Sequence, residues 1–225
     1  MATLKLNIPS INLESPPSWG SRESIKKMLG NIWRDYSVYI KEASKNSNIP
    51  PNVITSFIAV ESGGIQDAGG KGHITQGLMQ WNRDYAQSQL KDELAQGRMS
   101  DGEKNILKKY GVMNEKEAIR KVTNSDQLKP QLNITIGSII LGQLIDQDWA
   151  SSGGVLHLDR VISVYNAGAY GITGKKARQL TTPKLSTPQS LAASVNAITS
   201  AYISKIMGKD GALDIVSKDF KNIIV

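Results

Sequence analysis

Apolar residues recur at three-and-four spacing over most of this chain, and no stretch alternates apolar and polar residues for long enough to make a sustained strand. That periodicity points to a mainly α fold. Ile25, Met28, Leu29, Ile32, Trp33, Tyr36, Ile40 and Ala43 describe one amphipathic helix behind a Ser21 cap, ending near Asn46. Pro50-Pro51 starts a second helix, in which Val53, Ile54, Phe57 and Ile58 form the stripe and Gly63-Gly64 supplies a left-handed stop. Residues 65–76 read as a glycine-rich loop. Leu128, Leu132, Ile136, Ile139, Ile140 and Leu144 mark a buried helix whose Gly137 and Gly142 are expected to admit a neighbouring helix at close range. A further helix is expected from Leu158 to Asn166. A last long one runs from Ser190 to Met207, with Leu191, Val195, Ile198, Tyr202 and Ile206 on one face.

The remaining segments are polar or irregular. Residues 1–20 carry Pro9, Pro16 and Pro17 without a helical period and read as an extended arm. The charged segment at about 84–126 reads as an insertion with short helices around Glu103 to Tyr110 and Glu115 to Val122. Thr181 to Pro188 reads as a loop and residues 208–225 as a tail. The expected organisation is therefore an arm, one domain over residues 21–207, and a tail.

With 225 residues and 40% hydrophobic content the chain can bury the core of one large domain, which excludes a disordered protein. The longest apolar run, Ile134 to Ile145, is interrupted by Gly137, Ser138, Gly142 and Gln143 and is too short to span a bilayer. No basic start followed by an apolar segment marks a secretion signal, so the expectation is a protein without a signal peptide and without membrane insertion. Cysteine is absent and only His73 and His157 are present, so neither a disulfide nor a metal or other cofactor is expected. A net charge of +7 and a pI near 9.5 favour an anionic partner: nucleic acid, an acidic cell wall or a membrane surface. The basic residues, such as Lys26-Lys27, Lys108-Lys109 and Lys175-Lys176-Ala177-Arg178, lack interleaved aromatics. They read as a solvated surface, and no nucleic-acid partner is expected.

Glu61 is the residue that calls for an explanation. It follows Ile54 by seven positions, Phe57 by four and Ile58 by three, so it projects from the apolar side of its helix just before the glycine stop. Burial and the negative end of the helix dipole both disfavour its charged form, so its pKa is expected to be raised. A carboxylic acid kept protonated near neutral pH suits a glycosidase that donates a proton to a departing glycosidic oxygen. The alternative is a terminal glutamate that frays into solvent. Tyr165 lies on the apolar face of its helix ahead of Asn166-Ala167-Gly168, and Tyr202 lies on the stripe of the last helix; either also fits a core tyrosine whose hydroxyl finds a carbonyl.

Ile58-Ala-Val-Glu-Ser62, Gly77-Leu-Met-Gln80, Leu132-Asn-Ile-Thr-Ile-Gly137, Val164-Tyr-Asn-Ala-Gly168 and Ala201-Tyr-Ile-Ser-Lys-Ile206 follow one another in an order that resembles the motif set of the soluble lytic transglycosylases. Their lysozyme-like fold is shared with goose-type lysozymes, and the resemblance spans about Ile49 to Met207. It implies a mainly α, lysozyme-like domain that cleaves the β-1,4 bond between N-acetylmuramic acid and N-acetylglucosamine in peptidoglycan. Glu61 matches the single catalytic acid/base. By the same matching Met79 and Gln80 line the sugar subsites, Tyr165 orients Glu61, Asn166 holds substrate, and Ser62 and Tyr202 fall in the motifs as further substrate-binding positions, Ser62 with a structural alternative. Trp81 is a candidate either for stacking on a sugar or for the core. Asp67 reads as a loop cap rather than a catalytic group.

The chain departs from the pattern at three places. The loop from Ile65 to Gln76 lacks the serine commonly found between the glutamate and the Gly-Leu-Met-Gln motif, although Thr75 or Asp67 could contribute there. Ile198 stands where the family often has a glutamate, four residues before the tyrosine of the last motif. Asn82 stands where goose-type lysozymes usually have an aspartate, which argues for a transglycosylase over a hydrolytic muramidase. A wall-degrading enzyme without a signal peptide needs a carrier, so the expected setting is a virion component in a bacteriophage tail or baseplate acting in the host periplasm. The alternatives are release from the cytoplasm at lysis, transport by a secretion apparatus, or a structural part of such a machine with reduced activity. The arm and the apolar tail would then either dock to a partner or wrap the domain's own core.

Overall fold

The computed structural model describes residues 13–70, 73–152, 155–168 and 187–224. The expected loop from Thr181 lies outside these residues up to Ser186, as do the basic run at Lys175 to Arg178 and the arm up to Asn12. The architecture is mainly α. In chain order the helices are α1 (Arg22–Ser47), α2 (Pro51–Ser62), α3 (Arg83–Ala95), α4 (Asp101–Lys109), α5 (Glu115–Lys121), α6 (Pro130–Ile145), α7 (Leu158–Ala167), α8 (Pro188–Ser194), α9 (Ala197–Met207) and α10 (Ala212–Asp219). The short strands β1 (Ser151–Ser152) and β2 (Val155–Leu156) pair antiparallel, with Ser151 opposite Leu156. Among the described residues no helix is long and apolar enough to cross a membrane.

The chain divides into two compact units. One comprises Lys26–Gly142 with Phe220–Val225; the other comprises Met1–Ile25 with Gln143–Asp219. In the first, Leu29, Ile54, Phe57, Ile58, Leu78 and Leu132 are among the residues that form a fully buried core. Local chemistry sets the helix ends there. Pro51 opens α2, and Gly63 closes it at φ 63°, ψ 15°, donating its N–H to Ala59 O.

The charged segment contains one helix more than its sequence pattern suggests. Helix α3 buries only Ala86, Leu90 and Glu93, too sparse a stripe to stand out from its period alone. Its N-cap is Asn82, whose side chain accepts from Tyr85 N–H. Helix α4 has a full capping box, in which Ser100 accepts from Glu103 N–H and Glu103 accepts from Ser100 N–H. The close approach expected along α6 also differs from expectation. A Cβ on Gly137 would lie 2.4 Å from Met79 Sδ and 2.9 Å from Met79 Cβ, so the neighbour is a loop side chain and not a helix. At Gly142 no described atom lies within 4 Å of that position.

In the second unit the expected long helix over Ser190 to Met207 is two helices. Val195 and Asn196 are extended, and the Asn196 side chain caps α9 by accepting from Thr199 N–H. The break redirects α9, so Ile198 is 75% exposed while Thr199, Tyr202, Ile203, Ile206 and Met207 are buried. The segment after Met207 is also more than a tail. Ala212, Leu213, Ile215 and Val216 of α10 are buried, which removes them from any docking face. Arg22 pairs with Asp210, with Asp214 at 3.5 Å and with Asp219 at 3.0 Å. The described end of the arm is tied down as well: Lys209 N donates to Leu13 O at 2.6 Å and Ser15 N donates to Lys209 O at 3.3 Å.

Candidate active site

Glu61 is half-buried in the last turn of α2, between the buried Ile58 and Ser62 and the glycine stop. The turn after it is closely held. Ser62 Oγ donates to Ile58 O at 3.0 Å and accepts from Gly64 N–H at 3.1 Å, so this buried hydroxyl finishes the helix. Gly63 and Gly64 both have positive φ, 63° and 81°. Tyr36 Oη, from α1, donates to Gly64 O at 3.2 Å.

The loop that follows folds back on itself and leads to the Gly77-Leu-Met-Gln80 segment. Gly77 N donates to Ala68 O at 3.0 Å, Arg83 N donates to Ile74 O at 3.2 Å, and Thr75 bridges Asn82. Gln80 is a non-glycine residue at φ 46°, a conformation that costs about 1–3 kcal/mol unless its surroundings impose it. Its own side chain helps to do so, donating from Nε2 to Ala68 O at 2.9 Å and to Gly77 O at 2.7 Å. These bonds leave Gln80 half-buried with its amide nitrogen engaged by the loop.

Two buried amides fix this segment from α6 and the turn before it. Asn133 Oδ1 accepts from Met79 N–H at 2.8 Å, and its Nδ2 donates to Gln76 O at 3.2 Å and Gln127 O at 2.8 Å. Gln127 Nε2 donates to Ile74 O at 3.1 Å and Trp81 O at 2.7 Å. A Cβ on Gly77, at φ 82°, would lie 2.0 Å from Gln127 O, so only glycine fits between these amides. The sequence pattern gave neither amide a role. The available signal was a polar residue among the apolar positions of α6.

Met79 was expected to line a sugar subsite, but its side chain is fully buried against Gly137. It supports the segment from below and has no surface to offer a sugar. Trp81 is 3% exposed and donates Nε1 to Asn133 O at 3.0 Å, so of its two readings the structure shows core packing. Asp67 accepts at its backbone carbonyl from Gly70 N–H within the exposed loop.

Glu61, Ser62, Met79 and Gln80 all belong to the unit built on Lys26–Gly142. Tyr165, Asn166 and Tyr202 belong to the other. There, Tyr165 and Asn166 are half-buried in the last turn of α7, and Gly168 donates its N–H to Val164 O at 2.8 Å. Asn166 Oδ1 accepts from Thr199 Oγ1 of α9 at 3.1 Å, and Tyr202 is buried on α9.

The N-terminus of α7 holds an unusual set of groups. Asp159 and Arg160 are 1% and 2% exposed. Arg160 donates from Nη1 to Trp149 O at 3.0 Å, and neither Asp159 carboxylate oxygen reaches a hydrogen-bond partner among the described residues. Burial pushes the Asp159 carboxyl up to about 6, against the opposing pull of the Arg160 charge. Burial, helped by Arg160, also holds the neighbouring His157 below its ordinary value. Among the described residues no group of three or more histidines and carboxylates is placed to hold a metal ion.

The first unit thus offers a half-buried carboxylate at a helix end, beside a turn held by hydrogen bonds; such a group can give and take a proton. No protein-family model matches this sequence, and no curated protein matches it either.

Proposed function

We propose that this chain is a peptidoglycan lytic transglycosylase with a lysozyme-like fold, in which Glu61 is the only acid/base. The observation that carries the reading is the position of Glu61, half-buried at the end of α2 where the chain turns through two left-handed glycines. In this mechanism Glu61 gives its proton to the glycosidic oxygen as the bond from that oxygen to the muramoyl C1 breaks. The resulting carboxylate takes the proton of the muramoyl 6-hydroxyl as O6 bonds to C1. Glu61 ends protonated, the products are a free N-acetylglucosamine end and a 1,6-anhydro end, and no water is consumed.

Asn82 supports this outcome over hydrolysis. Its Oδ1 accepts from Tyr85 N–H at 3.0 Å, so the position where goose-type lysozymes usually carry an aspartate holds a neutral helix cap and no base for water. Glu61→Gln keeps the size and shape of the side chain and removes its acid, so the variant is expected to fold and to lose about 10²-fold or more in turnover of purified peptidoglycan. Wild-type turnover in that variant would refute the assignment. Mass spectrometry of the wild-type digest should show ends lighter by one water; ordinary reducing ends as the main product would make the enzyme a hydrolytic muramidase.

A further inference from the structure

The turn that carries Glu61 out of α2 is braced by one stripe of α1. Met28, Ile32 and Tyr36 recur every four residues and so share a face of that helix. Each meets the turn at a different point. A Cβ on Gly63 would lie 3.6 Å from Met28 Sδ, and one on Gly64 would lie 2.5 Å from Ile32 Cγ1. Tyr36 closes the row by donating its hydroxyl to Gly64 O at 3.2 Å. Both backbone polar groups of Gly64 are then held, the N–H by Ser62 Oγ and the carbonyl by Tyr36.

The contacts of Met28 and Ile32 are steric and only bound how far the turn can move. The Tyr36 bond is directional, and it is made by a side chain from a different helix. Glycines tolerate many conformations, so a turn through Gly63-Gly64 has little stiffness of its own. An external anchor on the second glycine therefore limits how the last turn of α2 can swing. Burial, with the Asp35 and Asp67 carboxylates, raises the Tyr36 pKa above its ordinary value, so the phenol stays a donor throughout the neutral range.

We propose that Tyr36 is a positioning residue for Glu61: by anchoring the Gly64 carbonyl it fixes the path of the chain out of α2 and hence the direction of the carboxyl group. The catalytic half of this inference rests on the reading of Glu61 as the acid/base. A reacting group displaced by about 1 Å can cost as much as 10²-fold in rate, and loss of one anchor that lets the turn sample other positions should cost part of that.

The test is Tyr36→Phe, which removes only the hydroxyl, with Tyr39→Phe on the same helix as a control. Two readouts are needed. Amide hydrogen exchange at Gly63, Gly64 and Ile65 is expected to quicken about tenfold in Tyr36→Phe, while the amides of α6 and the melting temperature change little. On peptidoglycan, kcat is expected to fall about tenfold with KM within a factor of about two, because the lost contact orients the acid and does not touch substrate. Tyr39→Phe should change neither. Unchanged exchange would overturn the anchor, and faster exchange with unchanged kcat would overturn the positioning role. If the wild-type protein cleaves no glycan, the enzymatic reading fails instead, and the exchange measurement still decides whether Tyr36 holds the turn.

Discussion

Asn133 accepts from Met79 N–H and donates to the carbonyls of Gln76 and Gln127 through one fully buried amide. Asn133→Ala would leave those buried groups without this partner, and each orphaned group costs roughly 1–3 kcal/mol. The variant is therefore expected to lose about 3 kcal/mol or more, read as a lowered midpoint in urea unfolding with an unchanged slope. A loss below about 1 kcal/mol would mean that the Gly77-Leu-Met-Gln80 segment holds its shape without Asn133. This residue also shows how a candidate site is divided between groups that act and groups that hold. Gly77 at φ 82° sits against Gln127 O and the Asn133 amide, while Gln80 at φ 46° is held by its own side chain.

At the scale of single elements, the division of α8 from α9 decides which residues the second unit buries. A continuous helix would keep Ile198 on the stripe with Leu191 and Tyr202. The extended Val195 and Asn196 turn α9 about its axis, and Thr199 and Ile203 take the inner positions. The break is held by the Asn196 cap, whose Oδ1 accepts from Thr199 N–H at 2.9 Å. Asn196→Ala is expected to destabilise by about 1 kcal/mol, while Asn196→Asp should retain the cap. Equal stability of the wild type and the alanine variant in thermal melts would show that packing alone holds the break. Asn166 accepts from Thr199 Oγ1, so the same start of α9 also steadies the end of α7.

For the molecule as a whole, the buried Asp159 makes stability depend on pH. Its folded pKa of about 6 lies above the ordinary 3.8, so between these values the folded state binds a proton that the unfolded chain releases. The contribution is therefore complete below about pH 4 and is lost as pH rises through 6, a change on the order of 3 kcal/mol. Asp126 and Asp214, whose carboxyls lie below their ordinary value, act with the opposite sign at lower pH, so the informative quantity is a difference. Wild-type stability minus that of Asp159→Asn is expected to fall from pH 4 to pH 6.5. A flat difference would show that burial leaves the Asp159 carboxyl at its ordinary value in the folded protein.

The sequence by itself determined the mainly α class, the start of α1 behind Ser21, both ends of α2, and the places of α6 and α7. Caps, prolines, glycine stops and dense apolar stripes act within a turn or two of chain, so they can be read without knowing the neighbours. The helical spacing of Ala212, Leu213, Ile215 and Val216 was equally local, although their burial was not. Tertiary structure alone decided that Met79 and Trp81 face the core and that sparse α3 is a helix. It also decided that Tyr36 reaches the turn after Glu61. These outcomes depend on contacts such as Met79 to Asn133, 54 residues apart, where a buried amide must find partners that no local pattern specifies.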